Sequence, residues 1–145
     1  MRLLLFALLA FFCVGSVVAE IAPIYYEKMQ KGAPEALGID VLNVDKIVKT
    51  TGEGTFTSLT VQARVRQVER SASGVKPGDV VTIIYSVAEY SAPRPGMGSP
   101  PILNKGQFVM AYLQRAEKGV QFELAAQGRS FTTPPLSTPP PPPPR

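Results

Sequence analysis

Hydrophobic and polar residues alternate along much of the chain, a pattern typical of β-strands that bury one face. The alternation is clearest from residue 56 to 70, where apolar side chains occupy every second position between Leu59 and Val65. Residues 80–88 are apolar or aromatic on both faces, which predicts a central strand. We expect further strands at 36–48, where the alternation is imperfect, and at 108–115 and 120–126, the last two joined as a hairpin.

Turn-forming residues separate these strands and set the expected architecture. Glycine, proline and small polar residues are concentrated at 50–54 and 71–79, and only residues 24–31 have the pattern of a helical turn, with Pro23 at its start. Five strands with little helix predict an all-β fold. We expect a small five-stranded antiparallel barrel of the oligonucleotide/oligosaccharide-binding type, because an immunoglobulin-like sandwich needs about seven strands.

The two ends of the chain differ from the middle. Residues 1–19 have the pattern of a secretory signal peptide, with an apolar run from Leu3 to Val14 and small residues up to Ala19, where we expect cleavage. No later apolar run is long enough for a transmembrane anchor. The expected domain therefore covers residues 20–132. Residues 133–145 hold eight of the 15 prolines and predict a disordered, proline-rich tail.

Composition excludes several kinds of chemistry. The chain has no histidine and no tryptophan, and Cys13, its single cysteine, lies in the predicted signal peptide. The exported chain can form no disulfide, which is more typical of bacterial envelope proteins than of small animal secreted domains, so we expect a periplasmic or extracellular bacterial protein. The exported chain therefore lacks the cysteine and histidine side chains that thiol catalysis, imidazole catalysis and tight binding of transition metals require. We therefore predict no catalytic residues, no cofactor and no metal site.

Three strand segments resemble those of netrin-like modules, the group that includes the tissue inhibitors of metalloproteinases. The segments are 61–65, 78–85 and 106–113, each with the hydrophobic spacing of that family, two of them opening on a glycine. The resemblance implies an oligonucleotide/oligosaccharide-binding barrel over residues 37–126, and inhibition of a protease. The family's cysteines have no counterpart here, and Glu20 would stand where the inhibitors have the N-terminal cysteine that chelates zinc. No functional residue carries over.

Candidate binding residues lie in a loop, on a strand and near the predicted N-terminus. The 91–101 connection is long and rich in proline and glycine, and Arg94 and Met97 would be its contact groups, unless it is a tolerated insertion. One face of a single strand would carry Arg64, Arg66 and Arg70, if no bulge intervenes. Such a row can bind an anionic partner or simply protect an edge from aggregation. Tyr25 and Tyr26 can form a paired aromatic contact or pack onto the barrel.

These features predict an exported, non-enzymatic binding module that contacts an envelope protein or a polyanionic glycan. Nucleic acid is disfavoured because the net charge is small, with 14 Lys and Arg against 11 Asp and Glu after Ala19, and because the aromatic residues are expected in the core. The first alternative is a netrin-like protease inhibitor. The second is an enzyme that works without histidine or cysteine, for which the sequence contains no recognisable constellation. The sequence leaves the oligomeric state open.

Overall fold

A computed structural model of the chain describes residues 23–92, 94, 96 and 98–134. The predicted signal peptide with its cleavage site, Met97, and the tail after Pro134 lie outside these residues. The described residues form α1 (Pro23–Gly32), β1 (Glu35–Thr51), β2 (Gly54–Ser71), β3 (Val80–Tyr90), β4 (Phe108–Arg115), β5 (Phe122–Leu124), a 3₁₀ helix (Gln127–Arg129) and β6 (Phe131–Thr132). The predicted helical turn and the predicted strands are therefore present, with changed bounds.

Five of the strands close into a barrel, as expected. Their order is β1-β2-β3-β5-β4, and β4 pairs back onto β1, while the short β6 adds to β4. The expectation of an antiparallel barrel is wrong for one pair, because β3 and β5 run parallel where Ile83 pairs with Phe122. The reason is geometric: strand direction cannot alternate all the way around a closed ring with an odd number of strands. The fold is a mixed five-stranded barrel.

An irregularity in the pairing of β1 explains why hydrophobic and polar residues alternate imperfectly in its sequence. Its register with β2 skips Leu42, since Val41 lies opposite Ala63 and Asn43 opposite Gln62. An extra residue of this kind is a β-bulge, and it exchanges the faces on which the following side chains lie. Before the bulge β1 is buried between β2 and β4, and after it β1 is paired only with β2 and is largely exposed.

The predicted last strand is shorter than expected. Residues 120–126 were expected to be extended, but β5 covers only Phe122–Leu124. Val120 is exposed in the connection from β4, which the Ala116 N–H closes by donating to the Gln121 carbonyl. After β5 the Ala126 N–H donates to the hydroxyl of Ser130, which turns the chain into the 3₁₀ helix. A local side-chain acceptor thus replaces the strand partner of this backbone group.

Tyr85 links the barrel core to the long connection after β3. Its ring is buried among the inward-facing residues, and its hydroxyl donates to the Pro101 carbonyl at 3.0 Å. The same hydroxyl accepts a hydrogen bond from the N–H of Leu103, a fully buried residue, at 3.2 Å. One phenol group therefore satisfies two backbone groups of a segment that has no strand partner there.

We expect Tyr85→Phe to reduce the free energy of unfolding by about 1–3 kcal/mol, since it leaves the Leu103 N–H and the Pro101 carbonyl unpaired. Burial raises the pKa of the Tyr85 hydroxyl above the ordinary 10.0, and the hydrogen bond from Leu103 opposes this by less. Above pH 10.0 the unfolded chain then releases this proton more readily than the folded chain, so stability falls as the pH rises.

Urea unfolding at neutral pH and above pH 10.0 measures both effects. The phenylalanine variant is expected to be less stable at neutral pH and to lose less stability on the alkaline side than the unmodified chain. Equal stability of the two chains at neutral pH would contradict the structural role assigned to this hydroxyl.

Candidate functional site

Gly98 and Ser99, in the second half of the 91–101 connection, are hydrogen-bonded to α1 and to the barrel. The Ser99 hydroxyl donates to the Ala88 carbonyl of β3 at 3.2 Å. The N–H of Gly98 donates to the Tyr26 hydroxyl of α1 at 3.2 Å. These contacts, with that of Tyr85, hold the second half of the connection between a barrel strand and the N-terminal helix. A loop held in this way can present its side chains in a defined position.

The 3₁₀ helix forms the other support of this connection. A Cβ atom at Gly128 would overlap the carbonyl of Gly98, so only glycine allows the two backbones to lie this close. The side-chain amide of Gln30 in α1 donates to the Arg129 carbonyl at 2.7 Å. The connection, α1 and the 3₁₀ helix therefore pack as one unit on the side of the barrel.

Phe56, Tyr90 and Arg94 form an aromatic cluster at the outer end of β2 and β3. The rings of Phe56 and Tyr90 meet edge to face, with centroids 5.8 Å apart. The guanidinium of Arg94 lies over the Tyr90 ring at 4.4 Å, and its nearest carboxylate oxygen, on Glu53, is 4.0 Å away. The Tyr90 side chain remains 44% exposed. The cluster thus offers an aromatic edge and a cation to solvent.

A groove lies on the outer face of β2 and β3, where its lining residues Ser58 and Ser86 are the next outward-facing pair after Phe56 and Ala88. It has a volume of about 460 Å³ and is bounded on its far side by β5 and the 3₁₀ helix, which diverge from β3 after the single Ile83–Phe122 pair. Among the described residues the lining contains one charged residue, Glu123, and neither Lys nor Arg: Ser58, Leu59, Thr60, Ile84, Tyr85, Ser86, Pro100, Glu123, Leu124 and Gln127. The groove suits an uncharged or weakly cationic ligand.

The predicted row of arginines is interrupted. The register of β2 with β1 skips Arg66 and Glu69, so two bulges fall within the segment and the even spacing of the three cations is lost. Arg64 is exposed on the regular part of the strand. The expectation of one straight cationic line is therefore wrong, because it assumed a strand without bulges.

Two of these arginines have partners within the protein. Arg66 makes two hydrogen bonds to the carboxylate of Asp40, at 2.9 and 2.7 Å, and its guanidinium lies 4.4 Å from the centre of the Phe108 ring. Arg70 donates to the carbonyls of Gln30 and Ala33 at the C-terminal end of α1, at 2.9 and 2.7 Å. Arg70 thus donates to one carbonyl in the last turn of α1 and to one just after it, where carbonyls lack the partners that a continuing helix would supply.

The two N-terminal tyrosines have different environments. Tyr25 is 60% exposed, whereas Tyr26 is buried and lies beneath the guanidinium of Arg129, 5.8 Å from its ring centre. Tyr26 also accepts the hydrogen bond from Gly98 described above. The structure therefore separates this pair into a packing residue, Tyr26, and a surface residue, Tyr25.

Sequence reasoning placed the aromatic residues of β3 and β4 in the core, which is right for Tyr85 and wrong for Tyr90. Tyr90 lies on the outer face with Phe56, and the partly exposed Phe108 ring lies beneath Arg66. The alternation of inward and outward positions along β3 indicates where Tyr90 lies. Counting in twos from the buried Ile83 and Tyr85 places residues 84, 86, 88 and 90 outside.

Two further findings concern only the described part of the chain. It contains no group of three or more Asp, Glu, His or Cys side chains arranged to hold a metal ion. None of its helices has the length and apolar character needed to span a membrane.

Comparison of the whole chain with known protein families, with curated proteins and with solved structures finds no match.

We expect Tyr26→Phe to loosen the 91–101 connection, because it removes the acceptor of the Gly98 N–H. Amide hydrogen exchange of Gly98 is expected to become faster, with a loss of about 1 kcal/mol in the free energy of unfolding. Tyr25→Phe is the matched control, since the Tyr25 side chain is largely exposed and is expected to change neither quantity. Unchanged exchange at Gly98 in the Tyr26 variant would contradict the assignment of this contact.

Proposed function

We propose that the chain is an exported, non-enzymatic binding module of the bacterial envelope, and that it contacts a protein partner through the aromatic cluster and the adjoining groove. The observation that carries the proposal is the Tyr90 ring, which is 44% exposed and contacts both Phe56 and Arg94. Tyrosine and arginine are enriched among the residues that dominate protein–protein binding energy. The apolar segment before Ala19 supports export.

The charges around the site favour a protein over a polyanionic glycan. A polyanion requires a row of free cations, yet Arg66 is bonded to Asp40 and Arg70 to the end of α1. Glu123 is the charged residue in the lining of the groove, and a carboxylate repels an anionic ligand. Nucleic acid is disfavoured by the same absence of cations from the groove lining.

The support beneath the site favours binding without rearrangement. Described residues on both sides of Arg94 are hydrogen-bonded to the rest of the protein: the Ser91 N–H donates to the Glu53 carbonyl, and the Ser99 hydroxyl donates to the Ala88 carbonyl. Holding contact groups in place before binding lowers the entropic cost of association. We therefore expect the free and bound forms of the site to have the same backbone conformation.

The proposal predicts site-specific crosslinking in the intact envelope. A photoreactive side chain at position 90 is expected to give a discrete adduct with one envelope protein, because the outer face of Tyr90 would lie in the interface. Arg94→Ala in the same chain is expected to weaken the adduct at least severalfold, since truncating an arginine at the centre of an interface often costs more than 1 kcal/mol.

Lys118, exposed in the connection from β4 to β5, is the matched control position and is expected to give no adduct. No adduct from position 90, or adducts of equal yield from positions 90 and 118, would reject this surface as the binding site.

The netrin-like inhibitor is a second candidate, and one contact favours it. The Tyr26–Gly98 hydrogen bond places the start of α1 beside the 91–101 connection. Ile24 and Tyr25, 69% and 60% exposed, directly precede Tyr26 in α1 and follow the predicted new N-terminus closely in the sequence. A short N-terminal segment and a neighbouring loop would together form a ridge that can enter a protease cleft.

If the chain is an inhibitor, residues 20–145 are expected to inhibit a secreted metalloprotease, and one extra residue before Glu20 is expected to abolish inhibition. Tyr25→Ala is expected to weaken inhibition about tenfold or more, in keeping with the loss of an aromatic anchor. Tyr90→Ala is the control and is expected to leave inhibition unchanged. Absence of inhibition across a panel of secreted metalloproteases rejects this candidate.

A further inference from the structure

Within the described residues, the second half of β1 is a free sheet edge. β1 pairs with β4 only as far as Asp40 opposite Phe108, and the last backbone contact on that side is made by Val41 with Gln107 and Gly106. From residue 43 to residue 51 its only neighbour among the described residues is β2. Such an edge offers unpaired backbone groups to another strand.

The hydrogen-bond pattern identifies which backbone groups are free. The Ser91 N–H donates to the Glu53 carbonyl, so odd-numbered residues at the start of β2 face β3 and even-numbered ones face β1. Thr51 lies opposite Gly54, whose backbone groups face β1, so the backbone groups of Thr51 face β2. The other odd-numbered residues in this half of β1 also direct their N–H and carbonyl groups to β2, because the direction alternates along a strand. The groups that point to the open side belong to Val44, Lys46, Val48 and Thr50.

Large hydrophobic side chains are exposed along this edge. Ile47 and Val48 are 74% and 61% exposed, on opposite faces of the strand. Asp45 and Lys49 lie two residues on either side of Ile47 and therefore share its face. Along this face a negative charge, an apolar side chain and a positive charge follow one another, at Asp45, Ile47 and Lys49.

We infer that the free edge pairs with the same edge of a second copy of the chain, antiparallel, with Ile47 opposite Ile47. In this register Asp45 of each copy lies opposite Lys49 of the other, and the two isoleucines meet at the centre. Cross-strand pairs of opposite charge and of apolar side chains both stabilise an antiparallel pair. The arrangement is two-fold symmetric, so a single self-complementary surface closes the dimer.

The backbone is compatible with this register and the neighbouring ones are less favourable. Lys46 lies opposite Val48 and Val44 opposite Thr50, so the residues with free backbone groups are paired with one another. Shifting the centre to Lys46 brings two lysines face to face. Shifting it to Val48 places Ile47 opposite Lys49 and separates the opposite charges. The charge pattern therefore selects the register centred on Ile47.

The same edge also suits an extended segment of another protein, but the symmetric charge pattern favours a second copy. Lysines on an edge strand also protect against uncontrolled pairing, and Lys46 and Lys49 would then keep the chain monomeric. The dimer does not depend on the aromatic cluster, so it stands or falls separately from the proposed function.

Charge reversal tests the inference on the exported chain, residues 20–145, by sedimentation equilibrium up to about 1 mM, where weak dimers are visible. We expect the unmodified chain to form a reversible dimer. Asp45→Lys and Lys49→Asp are each expected to raise the dissociation constant by about tenfold or more, because each converts two attractive cross-strand pairs into repulsive ones. Both sites are exposed, so the fold is expected to be retained, which thermal unfolding checks.

Mixing is the decisive step. Asp45→Lys mixed with Lys49→Asp is expected to form a heterodimer of about the original strength, since each lysine then faces an aspartate, and the doubly reversed chain is expected to dimerise with itself. Glu117→Lys and Lys118→Glu, in the connection after β4, are the controls and are expected to have no effect. A chain that is monomeric at every concentration, or a dimer that the edge reversals leave unchanged, or a mixture that does not recover, overturns the inference.

Discussion

The unequal lengths of β1 and β4 determine where the barrel is closed and where its sheet is open. β1 has 17 residues and β4 has 8, so β1 can have strands on both sides over only part of its length. The bulge at Leu42 falls where the second neighbour ends. Up to that point the barrel is closed and its inner side is filled by apolar side chains. Beyond it β1, β2 and β3 continue as an open three-stranded sheet with an exposed outer face and a free edge.

The aromatic cluster and the groove both lie on this open sheet. The aromatic cluster lies at the outer end of β2 and β3, beside the tight turn in which Gly54 comes so close to the Glu89 carbonyl that a side chain would overlap it. The groove lies along the same face, where β5 leaves β3 after one pair. Rigidity comes from a small number of buried polar contacts, chiefly those of Tyr26 and Tyr85. The strands are thus closed into a barrel at one end and form an open sheet with an exposed outer face at the other.

Local patterns in the sequence were sufficient for the elements and for the fold class. The helix between Pro23 and Gly32, the long strand around Val61 and the barrel itself follow from periodicity and turn residues. The bulges at Leu42, Arg66 and Glu69 could not be predicted in this way, because a bulge depends on the partner strand and has no fixed local signature. The two bulges in β2, at Arg66 and Glu69, are the reason that the arginine row is interrupted.

The candidate site depends on contacts between residues far apart in the chain, which explains why it was only partly foreseen. Arg94 was recognised from its loop, but its partners Tyr90 and Phe56 were not, since they meet only when β2 and β3 pair. Tyr26 and Gly98 are separated by 72 positions, and no local pattern relates them. Parity along β3 could have placed Tyr90 outside, once Ile83 was assigned to the core.

Residue-by-residue amide hydrogen exchange along β1, at concentrations low enough to keep the chain monomeric, tests the division of this strand most directly. The account predicts slow exchange at Asp45, Ile47 and Lys49, whose N–H groups face β2, and fast exchange at Val44, Lys46, Val48 and Thr50, with Val41 protected by Gln107. Slow exchange at every residue from 43 to 51 would show that another segment already covers the edge. Fast exchange at all of them would show that the open sheet does not form, and either result would contradict the account.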